Sequence, residues 1–349
     1  MKGQAPFRRP TYRSTVILHS LYFYPDMNRT QSADRLPLPK VLVLGTGGTI
    51  AGVSTAHPAQ GGYRAGVLDI AQLVEAAPGI ELLAELHAEQ IASIDSKDMR
   101  PEVWHKLAIR IVQWLAKPDA VGCVVTHGSD TLEETAYFLH CVLAPGKPVV
   151  LTAAMRPATA LSADGPRNLY DAVQVAASPD AAGRGVLCAL HGRVHGACDV
   201  TKAHPTALDA FTSGDRGPLG FVGPQGLQFT RNHPGEKPQT LSVPSAGNWP
   251  RVELVSSHAG ADGSVVRALL QASRSGALQP GLGGLVVLGT GHGTVHEDLQ
   301  AALDVAESAG VRVVYASRAG TPQGGAYDGL NAVKIRVRLM LELAAQAQG

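Results

Sequence analysis

Val121-Gly-Cys-Val-Val125 is apolar throughout and runs directly into Thr126-His127-Gly128-Ser129-Asp130-Thr131-Leu132-Glu133-Glu134-Thr135. An apolar run without polar alternation is the mark of a strand covered on both faces, as in parallel sheets. A helical pattern follows through Leu139, so a hydroxyl and a carboxylate stand where a parallel strand hands over to a helix. Ligands of open α/β sheets bind at that carboxyl edge. A second such exit lies upstream, where the strand-like Val41–Leu44 leads into Gly45-Thr46-Gly47-Gly48-Thr49-Ile50-Ala51-Gly52. Two hydroxyl-bearing strand ends suggest one shared site.

The alternation continues along the chain. Strands are expected at 41–44, 121–125, 148–152 and 185–190, with a short one at 90–95. Helices are expected at 70–77, 102–115, 132–142 and 163–177. This order predicts a doubly wound, mostly parallel α/β sheet. Residues 222–250, rich in Pro, Gly, Asn and Gln, read as a linker. Strands at 252–256, 284–288 and 311–316 and helices at 264–273, 297–309 and 332–345 then predict a second, smaller α/β domain. The expected division is an irregular extension over 1–38, a catalytic domain over 39–221, the linker, and a C-terminal domain over 251–349.

Bulk properties narrow the function class. The 349 residues carry 30 Lys plus Arg against 29 Asp plus Glu, a formal net charge of +1. Nucleic acid and anionic membrane are therefore not expected partners. No apolar stretch is long enough to span a bilayer. Cys123, Cys141, Cys188 and Cys198 show no metal spacing, and Cys123 and Cys188 lie in apolar runs as small buried hydrophobes. His191, His195 and His204 lack carboxylates or cysteines to complete a metal site. Neither metal nor organic cofactor is expected.

Four segments carry candidate chemistry, and each has a plainer reading. The glycine-rich turn at 45–52 lacks dinucleotide spacing, and its glycines bring a threonine hydroxyl into the open. Thr46 and Thr49 are either helix caps or nucleophile material, and a threonine nucleophile needs a base beside it. Ser129 and Asp130 are either an N-cap or a hydroxyl–carboxylate pair. Lys202, in Asp199-Val-Thr-Lys202, is either a solvated lysine or a base for a neighbouring hydroxyl. Ser96-Lys97-Asp98-Met99 is either another cap, with Pro101 in the following helix's first turn, or part of the site. All four fall at carboxyl ends of strands, and that coincidence favours a site.

The segments TGGTIAG at 46–52, THGSDTLEETAYFL at 126–139, AMRPATALSADGPRNLYDAV at 154–173 and DVTK at 199–202 together resemble the bacterial L-asparaginases, homotetrameric threonine-nucleophile amidohydrolases, some of which also hydrolyse glutamine. The resemblance is dense over 40–220 and looser beyond. It implies Thr49 as nucleophile and Tyr63 as the tyrosine of a mobile lid over 52–66. It implies Ser129, usually threonine in the family, as a second catalytic hydroxyl beside Lys202 and Asp130. Ser96 would bind the substrate carboxylate, Asp130 its α-ammonium, and the Ala154 backbone would lie near the scissile amide. Lys97 stands near the substrate amine where relatives carry Gln or Glu, and a cation there repels an ammonium unless it turns away. The segment 317–334 is shorter than in relatives, with Asp328 in it, and Thr294 aligns with an asparagine that the partner subunit contributes. The implied activity is hydrolysis of L-asparagine to aspartate and ammonia, with L-glutamine as a second substrate, by a homotetramer built as a dimer of dimers. The competing expectation is an amino-acid-binding homologue with weak or no turnover. The position of Cys141 departs from that of the exported enzymes' disulfide cysteine. This favours the cytoplasm, with the periplasm left open.

Overall fold

The computed structural model describes residues 37–55, 62–231, 240–245, 247–320 and 327–347. Residues 1–36 of the expected N-terminal extension, the middle of the lid and the centre of the short C-terminal loop lie outside these residues. In chain order the elements are β1 (Lys40–Gly47), β2 (Val53–Ser54), β3 (Tyr63–Arg64), α1 (Ile70–Glu75), β4 (Glu85–Ile94), α2 (Pro101–Leu115), β5 (Ala120–Thr126) and α3 (Leu132–Val142). They continue with β6 (Val149–Thr152), α4 (Gly165–Ala177), β7 (Val186–Leu190), β8 (Arg193–Gly196), β9 (Thr201–Lys202), β10 (Phe211–Thr212), β11 (Gly220–Gly223) and β12 (Gly226–Phe229). The last are β13 (Arg251–Ser256), α5 (Ser264–Arg274), β14 (Leu282–Gly289), α6 (Glu297–Ser308), β15 (Arg312–Ser317) and α7 (Ala332–Gln346).

The large sheet has the order β12-β11-β8-β7-β6-β5-β1-β4. Strands β4, β1, β5, β6 and β7 run parallel, and β8, β11 and β12 add on antiparallel. Both faces are covered, as the uninterrupted apolar runs require. Leu42, Leu44, Cys123 and Val125 pack with residues of α2 and α3. Their alternates Val41, Val43 and Val124 pack with residues of α1 and α4. Burying one such leucine or valine contributes about 1.5–3 kcal/mol, so the period-two alternation fixes which helices cover which face. Chain order reverses at β1, which has β4 on one side and β5 on the other. The carboxyl ends of β1 and β5 therefore open the crevice of a topological switch point.

Two boundaries differ from the sequence expectation. Strand β4 begins at Glu85, well before residue 90; it is an edge strand with no fully buried residue, and Glu85, His87, Glu89, Gln90 and Ser93 interrupt its apolar residues, which hides it from an apolar count. The expected linker from residue 222 is in part sheet: β11 and β12 form a hairpin with Gly223 paired to Gly226. The Gly and Pro density there is turn chemistry. Gly220 also has a packing reason, since a Cβ on it would lie 2.4 Å from the Gln228 carbonyl oxygen.

The smaller α/β unit is present as the parallel sheet β13-β14-β15. Helices α5 and α6 cover one face through Val266, Leu270, Leu299 and Leu303. Helix α7 packs against β13 and β14 and also against α3 of the large sheet. Leu339 and Leu341 of α7 belong to the same buried cluster as Leu42 and Phe138.

Candidate active site

Three strand exits meet because glycines let their backbones touch. Gly48 follows β1 with φ +79°, and a Cβ on it would sit 2.3 Å from the Gly128 Cα after β5. A Cβ on Gly128 would in turn lie 2.5 Å from the Ser96 hydroxyl oxygen after β4. Backbone bonds fasten the junction: the Gly48 amide donates to the Ile94 carbonyl at 2.8 Å, and the Thr46 hydroxyl donates to the Thr126 carbonyl at 2.9 Å. Thr46 is thus a tie between β1 and β5.

Thr49 opens a short 3₁₀ turn whose cap position is Gly48, without a side-chain capping bond. Its hydroxyl lies 2.7 Å from the Tyr63 hydroxyl. Tyr63 starts β3, which pairs with β2 as a small hairpin. Gly52 leaves room for the tyrosine ring, since a Cβ there would come within 2.8 Å of its edge. The hairpin is tied to the loop after β6. The Ala158 amide donates to the Gly52 carbonyl at 2.8 Å, and the Ser54 amide donates to the Thr159 hydroxyl at 2.8 Å.

The second hydroxyl set lies across the Gly48–Gly128 contact. The Lys202 ammonium donates to the Ser129 hydroxyl at 2.8 Å and to the Asp130 carboxylate at 2.6 Å. Lys202 is no solvated lysine, for its side chain keeps only 14% of its exposure. Nor are Ser129 and Asp130 an N-cap. The cap of α3 is Thr131, whose hydroxyl donates to the Ser96 carbonyl at 2.7 Å. Ser96 is buried, and its hydroxyl accepts the Asp130 amide at 3.2 Å. Capping of its turn falls to Asp95.

Lys97 turns away from this cluster. Its ammonium pairs with Asp95 at 2.8 Å and Asp98 at 3.2 Å on the surface, and hydrogen bonds to these carboxylates raise its pKa. Both carboxylates belong to its own short turn. Ala154 is buried just beyond β6. The Asp164 carboxylate, taking the Met155 and Arg156 amides at 2.9 Å each, fixes the loop that follows. Thr294 sits apart on the exposed turn after β14, bonded to Thr290.

His127, between the two sets, is a scaffold group. Its Nδ1 lies 2.7 Å from the Gly128 carbonyl, so that nitrogen carries the proton. Its Nε2 then accepts the Thr135 hydroxyl at 2.9 Å, which itself accepts the Trp104 indole N–H at 2.8 Å. Burial pushes its pKa down to about 4, so it is neutral at pH 7. His195 is likewise buried, on the Ser213 hydroxyl at 2.8 Å. His204 instead accepts amides in its own turn.

Sequence reasoning passed over Glu133, Asn331 and Lys334. Glu133 accepts the Thr201 hydroxyl at 2.5 Å and the Asn331 amide at 2.6 Å. A readable signal existed: Leu330, Lys334, Val337 and Leu341 share one apolar stripe at helical spacing, and a lysine in such a stripe demands partners.

Known proteins share this chain's sequence pattern and fold. Residues 40–234 match the family described as Asparaginase, N-terminal. L-asparaginase 2 of Bacillus subtilis (strain 168) is 37% identical over 331 residues, covering 91% of this chain and 86% of its own. A probable periplasmic L-asparaginase of Haemophilus influenzae is 41% identical over 293 residues, covering 83% and 80%. The crystal structure of a probable cytoplasmic L-asparaginase from Campylobacter jejuni superposes with a TM-score of 0.79 at 38% identity, covering 87% of this chain and 94% of that one. Matched by the family model over more than half of its length and by relatives 37% and 41% identical over most of theirs, this chain belongs to the asparaginase family.

Proposed function

We propose that this protein hydrolyses L-asparagine to L-aspartate and ammonia through an acyl-enzyme on Thr49, with L-glutamine as a second substrate. The observation that carries the reading is the pairing of two hydroxyls with two proton-handling partners, Thr49 with Tyr63 and Ser129 with Lys202, across one glycine contact. The Thr49 oxygen attacks the side-chain amide carbon as its proton passes to the Tyr63 oxygen, which hands its own phenolic proton on to the amide nitrogen. Collapse of the tetrahedral intermediate breaks the C–N bond, and the nitrogen leaves as ammonia with that proton. Water then attacks the ester, releasing aspartate and restoring the Thr49 hydroxyl. Lys202 and Ser129 supply the proton path for the water step. Asp130, half exposed beside Lys202, offers a carboxylate to the substrate ammonium, and Ser96 and Ala154 line the approach. The hairpin carrying Tyr63 is the lid that excludes water during the first step.

Sites completed between subunits of a homotetramer, arranged as a dimer of dimers, go with this reading. Thr294 lies exposed on the β14 turn, available to a neighbouring copy. The cytoplasm is the proposed compartment. The cytoplasmic relative of known structure supports it, as does the use of Cys123, Cys141 and Cys188 as buried packing, with burial pushing the Cys141 and Cys188 thiols up to about 12.

The test is ammonia release from L-asparagine and L-glutamine by the purified protein and by Thr49→Ala. Wild-type turnover, reduced about a thousandfold or more in the variant, is expected for loss of a nucleophile. No ammonia from either amide, with aspartate still raising the Tm, would replace the proposal with an amino-acid-binding homologue.

A further inference from the structure

Lys334 is buried to 1% exposure in the apolar stripe of α7. Its ammonium donates to the Cys198 carbonyl at 2.9 Å and the Val200 carbonyl at 2.5 Å, and stands 3.9 Å from the Glu133 carboxylate. Burial lowers its pKa; the carboxylate and the two carbonyls favour its charged form. Glu133 in turn accepts the Thr201 hydroxyl, the Asn331 amide and, at 3.3 Å, the Lys202 backbone amide. Asn331 both caps α7 and donates to the Thr201 hydroxyl at 2.7 Å. Between the two carbonyls that Lys334 holds, Asp199 is gripped by Arg216 at 3.1 Å and Arg231 at 2.7 Å. Every residue from Cys198 to Lys202 is thereby tied by polar contacts.

Replacing a buried lysine–glutamate pair as a whole by hydrophobic residues of similar volume avoids its desolvation and is often neutral or stabilising, whereas removing one partner alone is destabilising. What the charges accomplish here is geometric. Helix α3 begins just after Ser129 and Asp130 and carries Glu133 in its first turn. Glu133 thus fixes the Lys202 backbone to the same turn that presents the Lys202 side chain's partners. We propose that Lys334, with Glu133 and Asn331, is a positioning unit that holds Lys202 on Ser129, so that the C-terminal helix sets the geometry of the second hydroxyl–base pair. The proposal rests on the amidohydrolase reading above and adds residues that touch no substrate.

The experiment is a double-mutant cycle with Lys334→Met and Lys202→Met, read by steady-state kinetics on L-asparagine. Lys334→Met is expected to lower kcat about tenfold or more, with KM within about threefold. In the Lys202→Met background the same change is expected to cost nothing further. Losses that multiply, or a kcat per folded enzyme equal to wild type, overturn the proposal. Should Lys334→Met fail to fold, Asn331→Ser enters the same cycle, since serine keeps the α7 cap but cannot reach Glu133. Amide exchange of the peptide spanning 198–203 is measured alongside. Faster exchange in the variant is expected, and unchanged exchange overturns the positioning claim whether or not the protein turns over asparagine. Absent wild-type turnover overturns the functional reading instead, and the exchange result then decides the positioning claim alone.

Discussion

Thr49 and Ser129 are hydroxyls of similar chemistry in different surroundings, and their partners separate them. Thr49 faces a phenol 2.7 Å away on a part-exposed hairpin, whereas Ser129 faces an ammonium already neutralised by Asp130. Neither oxygen is a strong nucleophile alone, so the partner that accepts its proton sets the rate. Tyr63→Phe removes that partner and keeps the ring that packs on Gly52. We expect kcat on L-asparagine to fall about a hundredfold or more with KM little changed, as measured by initial rates. A fall of less than about threefold would assign the Thr49 proton to another group. The same local view applies to Lys97. Ahead of the fold it was a cation near the substrate amine; in the fold two neighbouring aspartates on its own turn hold it at the surface.

The strand exits are built to tolerances that a single methyl group breaks. Gly48→Ala places a Cβ 2.3 Å from the Gly128 Cα in a left-handed conformation, so β1 and β5 must part at their ends, one residue from Thr49. The expected outcome is a Tm lowered by several degrees, from a strain of about 1–3 kcal/mol, and a kcat reduced at least about tenfold. Gly146→Ala, with nothing within 4 Å of its added Cβ, is the control that leaves both unchanged. The central parallel strands and the helices were readable from their apolar patterns: Val121–Val125 is apolar throughout, and α4 repeats at helical spacing. The pairings β2–β3 and β9–β10 were not, because two residues carry no period. The antiparallel end at β11–β12 was hidden by its glycines, which resemble a linker until Gly223 and Gly226 are seen to pair. The candidate site was partly readable. Motif resemblance could nominate Thr49, Ser129 and Lys202, but Asn331 meets Glu133 across 198 residues of sequence, and no local pattern announces such a contact.

The molecule as a whole places two buried imidazoles where only their neutral forms are comfortable. His127 sits under the site and His195 on β8, and burial pushes the pKa of each down to about 4. In the unfolded chain an imidazole titrates near about 6.5. Between those values the unfolded state binds protons that the folded state refuses, so folding stability rises with pH across this window. The contribution is complete above about pH 6.5 and is lost as pH falls toward 4, about 3 kcal/mol for each histidine. Glu134 and Asp171 act the other way, since burial raises their pKa values and protonation at low pH relieves them. Glu89 joins the histidines, its carboxyl lowered by the hydrogen bond from Arg110. The histidine shifts span the wider range, so we expect the urea midpoint to drop steadily from pH 7 to pH 4.5. His195→Gln should flatten that slope. Imidazole nitrogen NMR tests the cause directly: the His127 ring should remain the Nδ1–H tautomer at pH 5.5, where an exposed histidine is largely protonated. A His127 signal titrating near pH 6.5 would mean that the turn between β5 and α3 opens to water, and with it the site that this turn carries.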